Sequence, residues 1–286
     1  MDDAPLIATA MTIAGSDSGA GAGIQADLKT FAALGVYGTS VISAVTAQNT
    51  ESVLAIAEVP EEVVIHQIDG VLDDIGAHAV KTGMLSSASI IEVVADRIDA
   101  WGIANLVVDP VMVAKSGDAL LQPNAIRSMV KQLLPLALVV TPNLPEAEVL
   151  AKIHILSDGD AERAARIIGE MGPRYVVVKG GHRGGDEATD LVYDGSSVER
   201  LSSPWIETSN THGTGCTFSA AIAGYLARGQ SAPEAIRRAK RYLMQALTHS
   251  YAIGGGHSPV NHFHAFAEMN PSAITASRGG SNGSRG

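Results

Sequence analysis

Only one of the 286 residues is a cysteine, Cys216. No disulfide can form within the chain, which fits a reducing compartment. Basic residues are scarce as well: 20 Lys and Arg stand against 30 Asp and Glu, a net charge of −10. That balance excludes a nucleic-acid partner, because a phosphate backbone needs a basic surface. It does not exclude a nucleotide, which one locally positive pocket can hold. No apolar run approaches the ~20 residues of a membrane helix. The start Met1-Asp2-Asp3-Ala4-Pro5 is acidic, so it lacks the basic segment of a secretory signal. The expectation is a cytoplasmic protein without a membrane partner.

Several binding motifs are missing too. A Walker A loop needs glycine directly before Lys-Ser/Thr, but Leu28, Val80 and Ala114 precede Lys29, Lys81 and Lys115. The run Gly19-Ala20-Gly21-Ala22-Gly23 is followed by Ile24 where the dinucleotide pattern G-x-G-x-x-G needs its third glycine. His257, His262 and His264 cluster near the end of the chain, but no zinc-type spacing accompanies them, so they read as structural.

What is present is a hydrophobic content of 46%, enough for a sizeable core, with strand-like and helix-like patterns in alternation. Ile24, Leu28, Phe31 and Leu34 recur at helical spacing after a short apolar run that ends in Gly15-Ser16-Asp17. Val41 to Val45 and Val53 to Val59 read as strands of buried character. Pro60 opens a helix, as expected of a residue without an N–H to waste. Pro123 to Leu134 reads as one helix, and two helices, Thr214 to Arg228 and Pro233 to Ser250, close the pattern. Such alternation predicts an α/β fold: a mostly parallel central sheet with helices on both faces. The Ser/Gly/Arg-rich end of the chain predicts disorder. The boundaries that follow are an N-terminal extension over 1–10, one domain over 11–268 and a disordered tail over 269–286.

In such folds ligands sit beyond the carboxyl ends of the strands. The polar and glycine-rich segments cluster there: Gly15-Ser16-Asp17, Thr46 to Asn49, Lys81 to Met84, Asp109-Pro110, Thr141-Pro142-Asn143 and Lys179-Gly180-Gly181. Gly213-Thr214-Gly215-Cys216 opens a helix. Its glycines let successive N–H groups converge on an anion, aided by the helix dipole; alone it reads equally as a glycine-rich N-cap. Cys216 in the first helical turn is placed for a lowered thiol pKa, and so for accepting a proton from a substrate hydroxyl. A lone cysteine is otherwise a small apolar residue. Asp109, Asn143 and Glu146 converge where they could hold Mg²⁺ through waters or merely cap a helix. Lys179 is placed as a point charge for a phosphate.

Taken together, Ala14 to Asp17, Gly21 to Lys29, Thr46 to Thr50, Lys81 to Leu85, Asp109 to Met112, Thr141 to Ala147, Lys179 to His182 and Thr211 to Cys216 resemble the bacterial hydroxymethylpyrimidine/phosphomethylpyrimidine kinases of thiamine biosynthesis. The resemblance runs in order from about residue 10 to 266. It implies a ribokinase-like three-layer sandwich, a homodimer, and two successive ATP- and Mg²⁺-dependent phosphorylations of 4-amino-5-hydroxymethyl-2-methylpyrimidine. It implies a substrate pocket of Asp27, Gln48, Gly15, Met84 and Val111, and a nucleotide side of Asn143, Lys179, Thr211 and His212. Asp109 and Glu146 correspond to the metal side. Gly213, Thr214 and Gly215 correspond to the anion hole, with Cys216 and Lys179 as catalytic residues. Cys216 stands where sugar kinases of this fold carry an aspartate. One departure is Ala20, where the family often has glycine. A pyridoxal kinase of the same fold is the alternative, since the pocket residues suit either ring, and a non-catalytic ligand-binding protein is the reading from another class.

Overall fold

Successive strand residues face opposite sides of a sheet, and here that parity decides which residues reach the site. The computed structural model describes residues 7–112, 122–180 and 186–266. Nine strands form one sheet in the order β3-β2-β1-β4-β5-β6-β7-β8-β9. They are β1 (Thr9–Asp17), β2 (Tyr37–Gln48), β3 (Val53–Glu58), β4 (Ala79–Thr82), β5 (Leu106–Val108), β6 (Val139–Val140), β7 (Tyr175–Val178), β8 (Glu187–Tyr193) and β9 (Val198–Pro204). The six from β2 to β7 run parallel; β3, β8 and β9 pair antiparallel at the two edges.

Met11, Ile13, Val80, Leu106, Val108, Val140, Val176 and Val178 face one helical layer. It contains α2 (Glu61–Asp74), α3 (Ala88–Ala100), α4 (Pro123–Ser128), α5 (Leu144–Ala151) and α6 (Asp158–Gly169). Ala10, Ala79, Val107, Val139 and Val177 face the other, built from α1 (Gly23–Ala33), α7 (Thr214–Ala227) and α8 (Ala232–Thr248). The expected three-layer α/β sandwich is therefore present. Continuing the second set by two residues along each strand gives Thr12, Lys81, Asp109, Thr141 and Lys179. The same face that buries small apolar residues thus carries the charged ones at its carboxyl end.

Three local expectations differ from the structure. β3 is not a buried strand: Leu54 is 74% exposed, because β3 is an edge strand paired only with β2. The segment from Pro123 is not one helix. It passes through a π-helical turn, Met129–Leu133, into a short 3₁₀ turn, Leu134–Leu136. Pro135, which has no N–H to continue an α-helical ladder, lies in that second turn. The first strand starts at Thr9, inside the stretch expected as an extension. The tail expected to be disordered lies outside the described residues, as do Gly181 and His182. Among the described residues no helix is long and apolar enough to cross a membrane.

The chain's last described segment fastens α7. His262 is 3% exposed. Its Nε2 lies 3.0 Å from the Thr217 hydroxyl, and its carbonyl accepts from Tyr242 at 2.6 Å. Burial, helped by the charge of Lys29, pushes the imidazole down to about 3. The unfolded chain therefore binds a proton near the usual 6.5, whereas the folded one refuses it until about 3. Stability from this group is complete above pH 6.5 and falls as pH drops. Its share of the loss between pH 8 and pH 5 is about 2 kcal/mol. Urea unfolding at the two pH values checks this, and the His262→Gln variant should lack that share of the slope.

Candidate active site

A cavity of about 830 Å³ opens at the carboxyl ends of the parallel strands. It is lined by Gly15, Gln48, Met84, Asp109, Val111, Asn143, Glu146, Lys179, Thr211, His212 and the turn from Gly213 to Cys216. One wall is the start of α7. Gly213 sits at φ 76, and a Cβ there would collide with the Gly21 carbonyl. Gly215 has the opposite surroundings: a Cβ on it would lie 3.4 Å from Lys179 Nζ and 3.5 Å from Asp109 Oδ2. The bare backbone of the turn therefore faces the charged strand ends across a gap about one atom wide.

Each charge at those strand ends is paired, as burial demands. Lys179 Nζ lies 3.0 Å from Asp109 Oδ1, which also accepts from the Thr141 hydroxyl at 3.2 Å; Ser219 donates to Oδ2 at 3.3 Å. Burial opposes the Asp109 charge, but Lys179 and Lys81 hold its carboxyl below the usual range. Lys179 is held above its own range, against burial, by Asp109 and Glu146.

Asn143 and Glu146 form a capping box on α5. Asn143 Oδ1 accepts from the Glu146 N–H at 2.9 Å, and Glu146 Oε2 from the Asn143 N–H at 2.8 Å. Both residues also line the cavity, so the cap and the site coexist. Burial and the charge of Asp109 push the Glu146 carboxyl up to about 7, with Lys179 opposing. Two buried carboxylates sharing one ammonium leave surplus negative charge, and the donor set is all oxygen. Among the described residues no group of three or more His, Cys, Asp and Glu is arranged to hold a metal. Asp109 and Glu146 fit a hard divalent cation that keeps waters and phosphate oxygens as its other ligands.

One expected residue sits elsewhere. Asp27 does not line the cavity. It is fully buried, and its carboxylate binds Lys81 Nζ at 3.0 and 2.8 Å and the Thr12 hydroxyl at 2.6 Å. A residue expected to touch substrate is thus the counter-ion of a buried lysine below the cavity floor. His212 lines the cavity, and its Nε2 lies 2.9 Å from Asp17 Oδ2. Cys216 corrects a further expectation. Its thiol is pushed up to about 11, not lowered: burial is the main cause, the charge of Lys81 opposes it, and the charges of Asp27 and Asp109 add to it. The helix start is favourable for a thiolate, but two nearby carboxylates are not.

Nothing in the local pattern pointed to Lys240 and Asp190. Lys240 Nζ binds Asp190 Oδ2 at 2.8 Å, and Asp190 Oδ1 accepts from the Gly180 N–H at 3.0 Å. This pair fixes the turn that follows Lys179, and both residues line the cavity. Because the residues come from β8 and α8, 50 positions apart, spacing carried no signal. Ala20, where the family often has glycine, sits at φ 60, a region costly for any residue with a Cβ.

A lone cysteine with a raised pKa gives a direct check. At pH 8, iodoacetamide should modify Cys216 at less than about a tenth of the rate of a cysteine in a peptide, followed by mass spectrometry. A rate equal to the peptide's would mean a thiolate in the resting protein.

The family model described as phosphomethylpyrimidine kinase matches residues 17–261. A hydroxymethylpyrimidine/phosphomethylpyrimidine kinase of Rhizobium meliloti is 53% identical over 262 residues, covering 91% of this chain and 98% of that one. A phosphomethylpyrimidine kinase of Clostridium difficile superposes with a TM-score of 0.75 at 44% identity, over 83% of this chain and 98% of that one. The pyridoxal kinase of Staphylococcus aureus, solved with AMP-PCP and pyridoxal, superposes at 0.84 with 38% identity, over 92% of this chain and 96% of that one.

Proposed function

The chain belongs to the phosphomethylpyrimidine kinase family, and on that premise we propose that it phosphorylates 4-amino-5-hydroxymethyl-2-methylpyrimidine with ATP, and then the monophosphate to the diphosphate, in thiamine biosynthesis. The observation that carries the reading is the narrow gap between the glycine turn and the Lys179–Asp109 pair. Amide donors on one side and an ammonium on the other are arranged for charge that spreads over a transferring phosphoryl group. Gln48, Met84 and Val111 on the cavity wall supply one polar edge and apolar faces, which suits a small substituted ring.

The acceptor hydroxyl must lie in line with the donor phosphate, and positioning supplies much of the rate. Mg²⁺ held by Asp109 and Glu146 would neutralise phosphate charge. Lys179 binds phosphate oxygens beside it, and the N–H groups of Gly213 to Cys216 receive the transferring group. Cys216 begins as a neutral thiol, so proton acceptance by it requires that the bound ligands first draw off its own proton. The second phosphorylation has a phosphate as nucleophile, which needs little help from a base at neutral pH. A homodimer belongs to this reading; the exposed apolar side chains Val45, Leu54 and Ile56 on the β2–β3 edge support it.

Pyridoxal as acceptor is the second reading, favoured by the likeness to the Staphylococcus aureus enzyme. Steady-state assays with ATP and Mg²⁺ separate the two. We expect kcat/KM to be higher for the pyrimidine; a more than tenfold preference for pyridoxal would reverse the order. No ADP formation with either acceptor would leave a ligand-binding protein. With the pyrimidine, Cys216→Ala should lower kcat for the first phosphorylation by about 10²-fold or more and the second far less. Equal losses in both steps would place Cys216 in the anion turn only.

A further inference from the structure

Asp17 ends β1 and is 3% exposed, yet its carboxylate is the most heavily used acceptor in the first loop. Oδ1 accepts from the Gly19 N–H at 2.8 Å. Oδ2 accepts from the N–H groups of Gly21 at 3.1 Å and Ala22 at 2.9 Å, and from His212 Nε2 at 2.9 Å. A carboxylate only accepts, so Nε2 carries the proton in this contact. Three amides fold the loop around one charge, and the fourth donor comes from the residue directly before the anion turn, 195 positions later in the chain.

The two backbones touch as well. A Cβ on Gly21 would overlap the His212 ring, and one on Gly213 would overlap the Gly21 carbonyl. The Asp17 carboxylate therefore sets the shape of the loop, and through His212 it holds the turn that carries the cysteine. His212 has a second anchor on its other side, since its N–H donates to the Ser258 carbonyl at 3.1 Å. The ring contact is thus the part of the residue turned toward the catalytic loop.

We propose that Asp17 and His212 are a positioning pair for phosphoryl transfer, locking the glycine loop after β1 to the anion turn so that the turn's amides are held facing the transferring group. The pair acts through the backbone it holds and does not itself receive the phosphoryl group. The proposal rests on phosphoryl transfer at this turn, whichever ring is the acceptor.

The test uses Asp17→Asn, His212→Ala, His212→Gln and the double variant Asp17→Asn/His212→Ala in the full chain. Readouts are kcat, KM for ATP and for the acceptor, the melting temperature, and the rate of Cys216 alkylation. Asp17→Asn and His212→Ala should lower kcat by about 10- to 100-fold, the scale of a misplacement near 1 Å, with either KM changed less than about threefold. His212→Gln, whose amide can still donate to Asp17, should recover most of the loss. The double variant should be no slower than the slower single, as expected for two halves of one contact. Alkylation of Cys216 should accelerate several-fold in His212→Ala and not in His212→Gln. Unchanged kcat and alkylation in both Ala and Asn variants, or additive losses in the double variant, or a fall confined to KM, would overturn the proposal. If Asp17→Asn does not fold, the Ala and Gln variants at 212 decide alone. If the wild-type chain forms no ADP with either acceptor, the proposed function fails, and the alkylation rates still judge the lock.

Discussion

Burying a charge without a partner is the most expensive thing a fold can do, and this cavity is organised around avoiding it. Lys81 with Asp27, Lys179 with Asp109 and Lys240 with Asp190 are ion pairs at 2.8 to 3.0 Å, and the Asp17 carboxylate accepts three backbone N–H groups and His212 Nε2. Each joins elements distant in sequence, and each lies below or beside the anion turn. Removing one partner leaves an uncompensated charge and costs several kcal/mol, about 3–5 for a buried pair. The charges are therefore mutually obligatory. Glu146, beside the Lys179–Asp109 pair, absorbs the imbalance by moving its carboxyl toward neutrality.

Sheet parity explains why these charges gather where they do. Lys81, Asp109 and Lys179 extend the same rows that bury Ala79, Val107 and Val177 under α7. The small residues let α7 lie close to the sheet, and its glycine start then lies across from the charged row. A bulky residue in those rows would lift the helix and widen the gap that the amides must span. Packing in the α7 layer and chemistry at its first turn are therefore one problem of spacing.

Much of this was legible in the sequence. The order of βα units, the rim of polar loops and the turn at Gly213 follow from local pattern, because strand ends and helix starts are local features. The capping ability of Asn143 and Glu146 was legible for the same reason. What local pattern could not carry was the identity of ion partners. Asp27 looked ligand-facing because it sits one turn inside a helix beside the glycine loop, but Lys81, 54 residues on, claims it. The Cys216 thiol departs from its expected direction because its helix position is local, while the burial that raises it, and the Asp27 and Asp109 charges that add to it, are not. β3 looked buried because Val, Leu and Ile report strand tendency, not whether anything covers the strand.

The contact between Thr217 and His262 has a consequence for how the protein is made. One rim of the cavity is contributed by the end of the first strand, the opposite rim by α7, and the brace on α7 by a residue close to the end of the described chain. A ribosome releases these pieces in that order, so the glycine loop and its carboxylate emerge long before the helix they face. Because a domain generally folds as a unit, the glycine loop waits for the helix it faces, and the site closes only when the segment carrying His262 docks against α7.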